Sequence, residues 1–137
     1  MILVLLKKQF RQKYLLKSGL SMGLDQWVYR EYTPAERQCA DAFPDIDKGE
    51  EVWYWRKNHS LNEWICHNAC PDDMMDFNCE KIYLYEKEIE ELFFDLVKGK
   101  LNPNYGCTDY QEDMLQFVKR AKHLLSKGHY LYYLAWW

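Results

Sequence analysis

Tyr54-Trp55-Arg56-Lys57-Asn58-His59-Ser60-Leu61-Asn62-Glu63-Trp64 is the stretch on which the fold turns. Its approach, Glu51–Trp55, alternates Val52 and Tyr54 against Trp53 and Trp55, the period and composition of a strand. Two cations and a polar turn follow. Ser60-Leu61-Asn62-Glu63 then has the form of a capping box, in which Ser60 caps a helix and Glu63 reaches back. Leu61, Trp64, Ile65 and Ala69 keep helical spacing, and Pro71 follows the end. The chain thus passes from strand to helix across a few polar residues.

Upstream, Leu24–Tyr32 reads as a strand rich in Trp27, Val28 and Tyr29. Thr33–Glu50, mostly acidic and marked by Pro34, Pro44 and Gly49, reads as a loop with a short helical turn at Pro34–Ala42. Downstream, Asp72–Asn78 is an acidic turn and Lys81–Tyr85 a third strand. Glu86–Lys98 carries Ile89, Leu92, Phe93, Leu96 and Val97 at helical spacing, closed by Gly99. Lys100–Cys107 is a loop, and Thr108-Asp109-Tyr110-Gln111 a second capping box. Tyr110, Met114, Phe117, Val118, Ala121, Leu124 and Leu125 then recur up to Gly128. The tail, Tyr130–Trp137, is so apolar that it belongs inside a sheet. These elements predict an α+β fold: about four mainly antiparallel strands with three helices packed mostly on one face. Met1–Ser21 is a separate basic amphipathic helix, with Leu3, Leu6, Phe10 and Tyr14 on one side.

A chain of 137 residues, 48% hydrophobic and 17% aromatic, suits a single folded domain over 22–137. Met22 is a second candidate start, so residues 1–21 read either as an upstream extension or as an addition to the domain. Net charge is −3, yet residues 1–21 hold five cations and no acid, which leaves −8 on the rest. An acidic body disfavours phosphate binding, so only the basic N-terminal helix is a candidate for nucleic acid or a membrane surface. Ile2–Leu6 is too short for a signal core or a membrane span, and five cysteines form an odd set. The expectation is a reduced, cytoplasmic protein.

Met22-Gly23-Leu24-Asp25, then Tyr54-Trp55-Arg56-Lys57-Asn58, Trp64, Cys79 and an aromatic C-terminal strand resemble a family of small bacteriophage and prophage proteins. Its members open "MGLD", with a later "YWRK" and a Trp-bearing helix. The resemblance spans residues 22–137. His59-Ser60-Leu61 stands where that family has an Ala-rich turn with a His a little later, so it assigns no helix-borne His here. What it implies is an accessory phage protein in the host cytoplasm, acting on host machinery such as a CRISPR-type defence protein.

Several constellations carry chemistry. Arg56 and Lys57 before a helix N-terminus form a candidate anion or partner site with Asp25, Tyr54, Trp55 and Asn58; the plainer reading pairs Arg56 with Asp25 and leaves Lys57 solvated. Cys66, His67, Cys70 and Cys79 have only one short-spaced couple, a poor zinc pattern, and Cys107 with His123 or His129 lacks anything to join them. Asp45, Asp47, Glu50, Asp72, Asp73 and Asp76 are candidate interface acids, and the last three lack calcium-loop spacing. Gly-rich phosphate loops and nucleophile elbows are missing from the sequence. The expectation is a protein without cofactor or metal that binds and inhibits a host protein. The alternative is a small-molecule or nucleotide pocket at the Arg56–Asn58 turn.

Overall fold

The computed structural model describes residues 23–39, 41, 47–74, 76–101 and 110–137. The N-terminal basic helix, Asp45 and Cys107 lie outside them. Four strands, β1 (Asp25–Arg30), β2 (Glu50–Arg56), β3 (Ile82–Leu84) and β4 (Leu131–Trp136), form one sheet in the order β2-β1-β4-β3. Every neighbouring pair is antiparallel. Among the described residues four helices accompany it: a single turn α1 (Pro34–Arg37), then α2 (His59–Asn68), α3 (Glu86–Val97) and α4 (Gln111–Ser126). The α+β expectation holds.

The apolar tail sits where its composition demands. β4 is an inner strand, paired with β1 along its whole length and with β3 over Leu131–Tyr133. Strand alternation divides the sheet. Gln26, Val28, Leu131, Tyr133, Ala135, Ile82 and Leu84 share the face toward α2, α3 and α4, and all are buried. Trp53 and Trp55 join them and meet Phe117 of α4, with ring centroids 5.9 and 5.0 Å away. Both indole N–H groups donate to Asp113, at 3.0 and 2.6 Å, so these aromatics bury area without orphaning a donor.

A polar network ties α2 to the sheet. Gln26 Nε2 donates to the Asn58 carbonyl at 2.8 Å and to the Tyr133 hydroxyl at 2.9 Å, and its Oε1 accepts from the Asn58 N–H. Tyr133 donates onward to Asn62 at 2.6 Å. Burial holds the Tyr133 phenol far above its ordinary value, so it stays a donor. This grip on Asn58 decides where α2 starts. The N-cap is Asn58, whose side chain accepts from Leu61 N, while Ser60 lies inside the first turn. The Ser60 box is therefore a correction: its sequence is right locally, but long-range bonds hold the chain two residues earlier. α4 likewise opens at Gln111 with Tyr110 as N-cap, and the Thr108 and Asp109 of the expected box fall outside the described residues.

At the other end of the sheet, Arg30 is buried and paired. It grips Glu36 at 2.8 and 2.9 Å and reaches Glu50 at 3.1 Å. His129 Nδ1 lies 3.3 Å from Nη1 and accepts, because a guanidinium can only donate. Gly49 is required here: at φ +107 a Cβ would lie 2.3 Å from the Arg30 carbonyl oxygen.

Candidate interaction surface

The second face of the sheet starts from the same strands, one residue out of step. Cross-strand rows place Arg56, Asp25 and Trp136 together, then Tyr54, Trp27 and Leu134, then Tyr29, Tyr132 and Tyr83. The third row is closed over. Tyr132 donates to the Lys48 carbonyl, and Lys81 Nζ stands 4.7 Å from its ring centroid. Tyr83 donates to Glu31, which pushes its phenol up to about 12.

The first two rows stay accessible. Trp136 is 61% exposed and Tyr54 46%, with Trp27 and Leu134 half-buried between them. Trp27 and Tyr54 pack at 5.6 Å between ring centroids. Tyr54 donates to Asp25 at 2.6 Å, and that carboxylate holds its phenol above the ordinary value. The bond fixes the ring on the sheet and leaves its flank to solvent. Among the described residues, none of the helices that build the core stands on this half of the face.

The anticipated binding residues divide. Asp25, Tyr54 and Arg56 belong to this surface. Trp55 does not: it points to the opposite face and is 1% exposed, because β2 alternates. Asn58 is fully buried as the helix cap, so it also belongs to the fold. Asp25 is engaged by Tyr54, and Arg56 makes no ion pair among the described residues. Lys57 adopts a left-handed φ of 58°, half-exposed, with its N–H on the Leu24 carbonyl. With Asp25 held by Tyr54 and Asn58 spent on the helix cap, Arg56 and Lys57 are the polar side chains of this turn that reach solvent.

Asp47, Asp72, Asp73 and Asp76 are exposed, and Glu50 is exposed while bound to Arg30. Asp76 accepts from the Asn78 N–H. Asn78 in turn bridges Ala135 and holds both the N–H and the carbonyl of Trp137, which brings the acidic 71–80 segment beside the Trp136 end of β4. Cys66 and Cys70 are buried and Cys79 exposed; no group of three His, Cys, Asp or Glu among the described residues could hold a metal. No described helix is long and apolar enough to cross a membrane. Sequence reasoning missed Trp27, Leu134 and Trp136 as site residues. The signal was available, since alternation puts them in phase with Tyr54 once the strand pairing is known. No family model, curated protein or solved structure matches the chain.

Proposed function

We propose that this protein works by binding another protein, without catalysis, and that the accessible aromatic half of its sheet is the contact surface. The observation that carries the reading is Trp136, 61% exposed on an inner strand beside Tyr54, Trp27 and Leu134. Large aromatics rigidly set in a sheet lose little entropy on binding and supply most of the energy in strong interfaces. The surround favours a basic partner: residues 22–137 carry −8, and the acidic 71–80 segment adjoins Trp136. The resemblance to phage accessory proteins makes that partner a host defence protein, of the CRISPR type, and the outcome inhibition.

The test is capture from bacterial lysate, with and without nuclease, read by mass spectrometry. One protein enriched in both arms, and lost with the Tyr54→Ala/Trp136→Ala variant, supports the reading. Enrichment that vanishes with nuclease makes the partner a nucleic acid. Enrichment that survives the double variant moves the contact elsewhere.

A further inference from the structure

A cleft of about 250 Å³ lies between α2 and the chain leaving α3. Its walls include Glu63, Trp64 and His67 from α2, Asp95 from the last turn of α3, and Lys100 and Leu101 beyond it. Trp64 is buried and its indole N–H donates to Asp95 Oδ2 at 2.8 Å. That bond fixes one carboxylate oxygen.

We propose that this cleft is a socket for a single guanidinium or primary ammonium group. Glu63 and Asp95 line it together with Lys100 and the imidazole of His67, so its carboxylates outnumber its fixed cations by one. α3 ends there with no basic residue in its last turn, and a helix C-terminus carries partial negative charge that favours cations. Lys100 is exposed and lines the cleft, a like charge to any incoming cation. At about 250 Å³ the cleft lies at the small end of ligand pockets, which run from roughly 300 Å³ upward, and it has room for one charged side chain or a short amine. The cation comes either from an Arg or Lys of a protein or from a free amine.

The readout is the Trp64 indole N–H resonance, identified by its loss in Trp64→Phe. Titration with agmatine, N-acetylarginine amide and an Arg-containing peptide, against sodium chloride at matched ionic strength, is expected to shift it saturably. Saturation by the small amine alone assigns the free-amine source; peptide binding with higher affinity assigns the protein source. Asp95→Asn keeps an oxygen for the indole but removes the charge, and is expected to weaken binding on the order of tenfold. Lys100→Ala is expected to strengthen it. No saturable shift, an equal response to sodium chloride, or unchanged affinity in Asp95→Asn would overturn the proposal. The result is independent of the aromatic surface, because none of its residues lines this cleft.

Discussion

The two faces of one sheet use the same residue types for opposite ends. On the helix side, Trp53, Trp55 and Tyr133 are packed against α2 and α4, and each polar tip finds a partner: Asp113 for both indoles, Asn62 for the phenol. On the other side, Tyr54 and Trp136 keep about half or more of their surface in water. Tyr54 and Trp55 are adjacent in sequence and differ only by the pleat. The comparison teaches that aromatic density in this chain has two causes. One set makes the core, where the conformational cost of folding is offset by buried area. The other contributes little to folding and is set out on a scaffold that the first makes rigid.

Substitutions can break or sharpen that division. Trp55→Ala removes a fully buried indole and one of the two N–H donors to Asp113, so a loss of about 3–5 kcal/mol in denaturant unfolding is expected. An effect near zero would mean that face is not the core. Tyr133→Phe keeps the packing but leaves Gln26 and Asn62 short of a partner, for about 1–3 kcal/mol by the same measurement.

A smaller effect concerns the end of the sheet. The Arg30 guanidinium and the Thr33 N–H hold the Glu36 carboxyl at about 2, below its ordinary 4.5. A depressed folded-state value adds stability above pH 4.5 that is lost as pH falls toward 2. Melting temperature should decline through that window, and Glu36→Gln should flatten the part of the decline due to this pair. An unchanged acid profile in Glu36→Gln would contradict the assignment. Lys57→Gly relieves a left-handed residue at the strand-to-helix turn, with a gain of up to about 1 kcal/mol expected. Smallest of all is Trp136→Ala, where stability should stay within about 0.5 kcal/mol.

Much of the fold was legible because it rests on local period. Strand alternation at Glu51–Trp55, the Ile89-Leu92-Leu96 spacing and the Met114-to-Leu124 stripe each appear where expected. So does the apolar tail as an inner strand. What was not legible depends on residues far apart. The Gln26–Tyr133 bond joins positions 107 apart, and it is this network that moves the helix cap from Ser60 to Asn58. The candidate surface was half legible. Tyr54, Asp25 and Arg56 were singled out, but Trp136 and Leu134 come beside them only through the antiparallel β1–β4 register. The Arg30 cluster escaped for the same reason, since Glu36, Glu50 and His129 converge from three separate segments.

The most direct test of the central claim compares two equally conspicuous aromatics. Phe94 is 57% exposed on α3, and Trp136 is 61% exposed on the accessible aromatic half of the sheet's second face. Capture of the partner by Trp136→Ala and by Phe94→Ala should be quantified side by side, with melting curves matched to the parent protein. Trp136→Ala is expected to lose at least about tenfold in retained partner, a change of roughly 1.4 kcal/mol, while Phe94→Ala retains it. Equal retention by both, or equal loss, would contradict the assignment of the sheet's aromatic face as the binding surface.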